Sequence, residues 1–212
     1  YRIGWDHRRL ADETVVLVAA AMALVGRAPT HVRSLDFATL YRDAFGLDPH
    51  TATIDALRAA LGEVQIDPEG LGRDDWLDLL MTHRLQPAFA DDAITVVHDW
   101  PATQAALARV RRGEDGTPAV AERFELYLGP LEVANGYHEL SDAQEQRSRF
   151  VRDHAVRASR GDVAPPIDEA LIAALPSMPD CAGVALGVDR LLMGLLRTPR
   201  IADVLAYDFA NA

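Results

Sequence analysis

The stretch at residues 123–140, RFELYLGPLEVANGYHEL, determines how the rest of the chain is interpreted. Apolar and polar residues roughly alternate over residues 124–128 and again over 131–134, with Gly129 and Pro130 between them. This pattern predicts two short strands joined by a turn. A half-buried strand normally uses its positions for packing, yet the second of these carries two carboxylates, an amide and an imidazole. These polar residues indicate a binding or catalytic site: Glu132, Asn135, His138 and Glu139.

Glycines and polar segments divide the first 90 residues into helices. An apolar stripe at helical spacing, with Asp6 as its cap, predicts a helix within residues 2–25. Three more helices are predicted: one capped at residues 34–36 and closed by Gly46, one capped by Thr51 or Thr53 and closed by Gly62, and one over residues 74–83. We therefore interpret residues 30–90 as a helical insertion within a single domain of residues 1–212.

The second half of the chain predicts strands first and a strand followed by a helix last. The predicted elements are a strand at 93–100, a helical turn at 105–110, a polar turn at 113–117, the two strands above, a helix at 142–159 capped by Ser141, a helix at 167–175, a strand to Leu186, a helix at 188–196 and an irregular segment at 201–209. Helices followed by antiparallel strands indicate an α+β fold rather than alternating βαβ units.

Composition limits the class of protein. With 212 residues, 49% of them hydrophobic, the chain can bury the core of one ordinary domain. No apolar run approaches the roughly 20 residues that a membrane span needs. A single cysteine, Cys181, excludes an internal disulfide framework and a multi-cysteine metal site, and it indicates a cytoplasmic setting. The net charge of −11 argues against a broad nucleic-acid-binding surface.

A second motif, GVALGVDR at residues 183–190, predicts a strand that runs directly into a helix. Glycine lets the backbone approach a flat ligand closely, and the start of a helix presents free N–H groups to an anion. Arg190, in the first helical turn, adds a charged fork that suits phosphate. The glycine spacing is more often a sign of tight packing, so the motif alone does not establish an anion site.

The polar residues of the second strand suit two ligands. Glu132 and Asn135 supply a carboxylate and an amide for an ammonium group. In an unbroken strand they would face opposite ways because they are three positions apart. The pair Asn135 and Gly136 is a turn or bulge signal that would re-aim one of them, and Glu139 beyond it suits a magnesium ion. A hairpin with solvent-facing acids explains the same spacing, and His138 fits a structural role better than a catalytic one.

Together, the two motifs resemble the catalytic domain of class II aminoacyl-tRNA synthetases, in the lysyl branch. The segment FELYLGPLEVANGYHELSDAQEQRSRF resembles that branch's FEL…EIANGF.EL.DA..Q..RF block, and GVALGVDRLLMGLL resembles its motif 3, which ends in G.DR. The resemblance covers essentially the whole chain, although residues 30–90 match loosely. It implies an antiparallel sheet flanked by helices.

Finer details resemble one branch of that family, the elongation factor P β-lysine ligases, which act on a protein instead of tRNA. His138 precedes Glu139, where lysyl-tRNA synthetases usually have serine. MPDCAGVALGVDR is similar to the ligases' MPDCSGVALGVDR, and HDWPATQAALARV to their HFPASQASLA. Ala185 stands where tRNA-charging enzymes have glycine, a change that in this family reshapes the pocket toward β-lysine. Ala185 and the acidic net charge weigh against tRNA as a substrate.

The resemblance implies roles for individual residues. Glu132 and Asn135 would hold the amino groups of lysine or β-lysine, and Tyr1 would contact the same substrate beside Ala185. Glu139 would bind Mg²⁺ and an ATP phosphate.

Two residues of the second motif would bind ATP. Arg190 would be the catalytic residue that clamps the γ-phosphate, and Gly187 would let adenine lie close to the backbone. The implied reaction is attack of the substrate carboxylate on the α-phosphate of ATP, followed by transfer to a lysine of elongation factor P.

The family also has a motif 1, which forms its homodimer interface, and a motif 2, whose FR.E arginine grips the α-phosphate. Both would precede Tyr1. We therefore expect this chain to be an N-terminally truncated part of the catalytic domain and to form adenylate poorly on its own, while its oligomeric state stays open. Two alternatives remain: a lysyl-tRNA synthetase fragment that charges tRNA, or a non-catalytic module that binds lysine and ATP.

Overall fold

The fold is α+β, as the sequence predicts, and its centre is one mixed sheet. The computed structural model describes residues 1–113 and 116–208, and within them seven strands form the sheet in the order β1-β7-β6-β5-β3-β2, with β4 pairing to β5. Neighbours are antiparallel except β2 and β3. The strands are β1 (Arg2–Ile3), β2 (Val32–Asp36), β3 (Ile94–Pro101), β4 (Val110–Arg111), β5 (Val120–Leu128), β6 (Leu131–His138) and β7 (Cys181–Leu186).

The helices begin and end largely where capping residues predict. Asp6 caps the first through Arg9 N, and Thr53 caps the third. Gly46 and Gly62 close the second and third with positive φ angles of 68° and 74°, which glycine adopts without strain. The helices in the described residues are α1 (His7–Leu24), α2 (Phe37–Phe45), α3 (Ile54–Leu61), α4 (Arg73–Leu80), α5 (Ala143–Ser159), α6 (Glu169–Ala174) and α7 (Val188–Leu196). None of the helices in this part of the chain has the length and apolarity to cross a membrane.

Each face of the sheet covers a separate apolar core. On one face, α2, α3 and α4 pack their buried side chains around Trp100 and Tyr127. On the other face, α1 buries Leu10, Val18 and Met22 against Phe124. The alternation of β5 explains this division, because Phe124 and Tyr127 lie an odd number of positions apart and point to opposite faces.

Three local predictions are wrong. Residues 34–36 do not cap a helix as a group, because they belong to β2; Asp36 alone is the cap, and it accepts a hydrogen bond from Thr39 N at 2.7 Å. The helical turn expected at 105–110 lies earlier, as a 3-10 turn at Ala102–Gln104. The cap of α5 is Asp142 rather than Ser141, and it accepts from two backbone amides.

Two predicted segments lie partly outside the described residues, and the predicted insertion contains a strand. The polar turn at 113–117 and the irregular segment at 201–209 extend partly outside the described residues, which exclude 114–115 and 209–212. β2 lies inside residues 30–90 and pairs with β3, so this segment adds an edge strand to the sheet as well as helices. The boundaries of the insertion and of the domain stay predictions.

A buried charge cluster joins α1 to the end of β3. Asp99 has a φ of 55°, and its side chain is 6% exposed. Its carboxylate lies 2.9 Å from His7 Nε2 and 3.2 Å from Arg111 Nη2, and it also accepts from Arg8. Burial alone would raise the pKa of Asp99, but hydrogen bonds from His7, His98 and Arg8 outweigh burial and hold that pKa far below its usual range. The cluster therefore depends on an ionised Asp99.

Candidate functional site

A bulge in β6 places the polar residues on one face of the sheet. β5 pairs Tyr127 with Glu132 and Leu126 with Ala134, so Val133 is one extra residue on β6. Both Val133 and Ala134 are buried in the α1-side core. As a consequence, the residues directly before and after this pair, Glu132 and Asn135, both point to the face opposite α1.

Glu132 and Asn135 therefore share a face, although three positions separate them. The sequence predicts a bulge at Asn135 and Gly136, but both keep regular register with β5. Gly136 has a packing reason instead: a Cβ at this position would lie 2.7 Å from Phe124 Cζ. The predicted bulge at Asn135 and Gly136 is therefore wrong, and the bulge that re-aims the side chains lies at Val133.

The middle of this face is formed by small residues of β7. Ala185 lies opposite Asn135 in the register, and Gly183 lies opposite Tyr137. The Glu139 carboxylate and the Tyr1 ring meet above Gly183, where an added Cβ would lie 2.6 Å from Tyr1 Cε1 and would also collide with Glu139. Gly183 thus leaves the space that an acid and an aromatic ring share.

Glu139 carries a half-buried carboxyl group. Burial raises the pKa of its carboxyl group. Among the described residues, the Glu139 carboxylate has no hydrogen-bond or salt-bridge partner in the protein, although its backbone carbonyl accepts from Arg109 Nε at 3.2 Å. The positive charge of the Tyr1 amino group acts on this carboxylate and opposes the effect of burial on its pKa. A half-buried carboxylate with an aromatic neighbour and no directly bonded cation among the described residues suits an ammonium group.

The opposite end of β6 meets the start of α7. Arg190 Nη1 lies 3.4 Å from Glu132 Oε2 and 3.3 Å from the Glu132 carbonyl oxygen. Gly187 is the N-cap of α7 and offers no side-chain cap, and its own amide donates to Val133 O at 2.9 Å. The first-turn amides of a helix lack intrahelical partners, so this end combines free N–H groups with a guanidinium and suits an anion.

The two ends are far apart. Glu132 and Glu139 are seven positions apart along an extended strand, which places their Cα atoms roughly 20 Å apart at about 3.3 Å per residue with one bulge. The site is therefore a long track on the sheet, with a carboxylate and an aromatic ring at one end and a helix start with an arginine at the other.

Residues 33–210 match the model of the family described as tRNA synthetases class II (D, K and N). The chain belongs to this family. Three curated relatives carry the name "Elongation factor P--(R)-beta-lysine ligase": those of Salmonella arizonae and Vibrio cholerae are 39% identical to the chain, and that of Klebsiella pneumoniae is 38% identical. Each alignment covers 100% of this chain and 64% of the relative, so the chain spans less than two thirds of their length.

Sequence reasoning missed Glu125 in this class II synthetase chain. Its carboxylate is buried, accepts from Tyr127 Oη and from Arg123 Nη2 at 2.5 Å, and lies 3.4 Å from Asn135 Nδ2. Burial raises the pKa of Glu125 to about 7 against the opposing effect of Arg123. The available signal was the alternation of side chains along β5. Glu125 lies two positions from Tyr127, so the two side chains share a face, and Tyr127 lies opposite Glu132.

Glu125 and Glu132 are the acids best placed for a metal in this synthetase chain. No group of three or more histidine, cysteine or acidic residues in the described part of the chain could hold a metal ion by itself. The sheet register places Glu125 and Glu132 on the same face, because Glu132 lies opposite Tyr127 and Glu125 is two positions from Tyr127 on β5. Two acids suit Mg²⁺ when phosphate oxygens and water complete its shell.

A polar network supports Glu125 from the same face of the sheet. Arg123 stacks 4.3 Å from the Trp100 ring centre and donates to Gln104 O at 3.0 Å. Gln104 Nε2 in turn donates to Asp78 Oδ1 at 2.7 Å. Burial raises the pKa of Asp78 to about 6. Because Arg123 also holds Glu125, the network links helix α4 to the middle of the site.

Proposed function

We propose that this chain is part of an ATP-dependent ligase that activates a lysine-type amino acid, (R)-β-lysine before lysine, and transfers it to a lysine of elongation factor P. The observation that carries the proposal is the track along β6, which has an ammonium-type end at Glu139 and a phosphate-type end at Arg190. The names of the relatives support the amino acid and the protein acceptor.

The length of the track favours exchanging two roles that the family resemblance implies. Phosphates held by Arg190 and the start of α7 lie at the Glu132 end of β6. Glu139, roughly 20 Å away along the strand, is too distant to share a magnesium ion with them. We assign Glu139 and Tyr1 to the amino group that lies farthest from the reacting carboxylate, and Glu132 with Glu125 to the magnesium-bound phosphates.

Asn135 lies between these ends. Its Oδ1 atom is buried and has no hydrogen-bond partner among the described residues, and its Nδ2 lies 3.4 Å from Glu125. An unpartnered buried acceptor costs free energy until a donor arrives. A second amino group of the substrate would supply that donor, with Ala185 beside it limiting the width of the pocket.

In the proposed reaction, the protein mainly orients charged groups. The substrate carboxylate attacks the α-phosphorus, the bond to the β-phosphate oxygen breaks, and pyrophosphate leaves. The lysine amine of the acceptor protein then attacks the acyl carbon, AMP leaves, and the amine loses a proton. Arg190 would fix the γ-phosphate throughout the first step, while Gly187 admits the adenine ring. Glu125 and Glu132 would hold Mg²⁺, which would offset charge on the phosphate oxygens.

Calorimetry tests the proposal directly. We expect the chain to bind (R)-β-lysine, lysine and ATP–Mg²⁺, and we expect residues 1–212 alone to exchange pyrophosphate into ATP very slowly. These residues contain no FR.E motif, and removal of one such stabilising cation costs about 100-fold or more in rate. Binding of neither amino acid would contradict the proposed function. Exchange at full enzyme rates would contradict only the predicted inactivity.

Acceptor assays separate the remaining alternatives. Transfer of radiolabelled lysine to elongation factor P supports the ligase, whereas transfer to tRNA supports a lysyl-tRNA synthetase. Binding without either transfer, in the protein that the whole gene encodes, supports the non-catalytic module. A single buried thiol, Cys181, fits a reducing compartment, and we place the protein in the cytoplasm with its translation partner.

Gly183→Ala is expected to weaken binding of (R)-β-lysine about tenfold, because the methyl group displaces the carboxylate and the ring that bind an ammonium. ATP affinity should stay within about twofold, since the phosphate end is distant. Calorimetry with each ligand measures both effects. Gly72→Ala is the control, because its Cβ would make only an ordinary contact of 3.5 Å with Asp75. Unchanged (R)-β-lysine binding in Gly183→Ala would contradict the placement of the amino group.

A further inference from the structure

His138 is enclosed by two carboxylates at the amino-binding end of the site. Its Nδ1 atom lies 2.7 Å from Glu122 Oε2, and its Nε2 atom lies 3.0 Å from Asp180 Oδ1. The side chain is 12% exposed. Glu122 belongs to β5, His138 to β6, and Asp180 directly precedes β7, so one imidazole connects three adjacent strands at the same level of the sheet.

The connection continues into the backbone of Glu139. Asp180 also binds Arg109 Nη2 at 2.5 Å, and the same guanidinium donates from Nε to the Glu139 carbonyl oxygen at 3.2 Å. Arg109 N donates to His138 O at 2.9 Å, and Glu139 N donates to Cys181 O at 3.0 Å. The network therefore holds the Glu139 carbonyl group through Arg109, while the backbone of β7 holds its amide.

The side chains of neighbouring residues on a strand point to opposite faces, so His138 and Glu139 divide between the two sides of the sheet. His138 does not face the substrate track, and its effect on a ligand must pass through the backbone. Around the imidazole the charged groups are Glu122 from β5, Asp180 from the segment before β7 and Arg109 from the segment before β4, while Arg111 of β4 reaches Glu122 at 3.5 Å.

We propose that His138 is a positioning residue that, with Asp180 and Arg109, fixes the Glu139 carboxylate at the site where a substrate ammonium binds. The proposal rests on the proposed function of Glu139. A carboxylate binds an ammonium more strongly when it is already oriented. If the backbone at Glu139 were mobile, binding would have to fix it, and this loss of conformational entropy would weaken binding. The phosphate end of β6 has its own anchors at Arg190 and Gly187, so it does not depend on this network.

His138→Gln tests the proposal by calorimetry. Glutamine supplies one side-chain NH₂ group, which cannot reach the Glu122 and Asp180 carboxylates at once. We expect about tenfold weaker binding of (R)-β-lysine and of lysine, with ATP–Mg²⁺ affinity within about twofold of the unmodified protein. His83→Gln is the matched control, because His83 is exposed on the helical segment Met81–Leu85 and no hydrogen bond or salt bridge of the described residues joins it to the site. This control should bind both ligands normally.

A double-mutant cycle separates positioning from general stability. Asp180→Asn alters a carboxylate that is 58% exposed, so the variant should fold even where His138→Gln does not. If His138 and Asp180 act through one network, their effects should not add. The double variant should then bind (R)-β-lysine no more than about twofold more weakly than the single variant with the lower affinity. Equal weakening of amino acid and ATP binding would indicate a merely structural role and overturn the proposal.

Two further outcomes are decisive. If the unmodified protein binds (R)-β-lysine and both single variants bind it equally well, the positioning role is wrong and the proposed function stands. If the unmodified protein binds neither lysine nor (R)-β-lysine, the proposed function and the positioning role are both wrong.

Discussion

Glu139→Gln is expected to weaken binding of lysine and (R)-β-lysine about 100-fold, while ATP–Mg²⁺ binding stays within about twofold. The amide keeps the shape of the side chain but removes the charge that an ammonium group requires. Glu139 is half-buried, and its carboxylate forms no salt bridge within the described residues, although the charge of the Tyr1 amino group acts on it. A substrate ammonium would therefore be its first directly bonded cation. Calorimetry with each ligand in turn provides the measurement.

Glu132→Gln tests the phosphate end of β6 in the same way. Here ATP–Mg²⁺ affinity should fall, and a higher magnesium concentration should be needed for half-maximal ATP binding, while the affinity for (R)-β-lysine changes little. Glu63→Gln, on an exposed residue after α3, is the charge-matched control for both variants. The opposite pattern, with Glu139→Gln weakening ATP and Glu132→Gln weakening the amino acid, would restore the roles that the family resemblance alone implies.

Asp99→Asn is expected to lower the free energy of unfolding by about 3 kcal/mol, because it leaves buried His7 and the nearby arginines without their shared carboxylate. Asparagine tolerates the positive φ of 55° at this position, so the loss reports the charge and not backbone strain. Urea unfolding at pH 7 measures the difference. Asp43→Asn, at an exposed salt bridge with Arg33, should cost less than about 0.5 kcal/mol.

Acid should reduce the difference between the unmodified protein and Asp99→Asn. The folded pKa of Asp99 is depressed, so its contribution to stability is complete above the unfolded pKa of about 4 and declines as the pH falls toward the folded pKa. Unfolding free energies measured between about pH 7 and pH 2 should therefore converge only in the acid range. Equal stabilities at pH 7 would show that the cluster does not depend on this charge.

The local elements of the fold were largely predictable because capping and periodicity act over a few residues. Asp6, Thr53, Gly46 and Gly62 each occupy the boundary that their chemistry favours. Asp142, not Ser141, caps α5, since both adjacent residues have suitable oxygens and sequence alone does not rank them. β2 was missed because three of its five residues are exposed, and its strand conformation comes from pairing with β3.

The site was predictable in part. Glu132, Asn135, Glu139 and Arg190 were proposed from residue type and family resemblance. The structure places the first three along one face, and Arg190 of α7 reaches Glu132 at the end of β6. Glu125 was not proposed, since a single acid in an apolar strand is also what ordinary alternation produces. Its significance depends on which strand lies beside it.

Long-range contacts were not predictable from local rules. The link between His138 and Asp180 spans 42 positions, and that between His7 and Asp99 spans 92. Nothing in either neighbourhood indicates the partner, because each pair forms only when the complete sheet brings distant segments together.

The extra residue at Val133 has a consequence for protein engineering. To transfer the residues of the β6 track into another sheet, the grafted segment must include the residues on both sides of Val133. If the graft began or ended inside the bulge, the residues on one side of it would point to the wrong face. A library that varies residue identity at fixed length keeps this geometry, whereas one that deletes a single position there turns Glu132 toward α1. Chain length at this point is thus a design variable as important as composition.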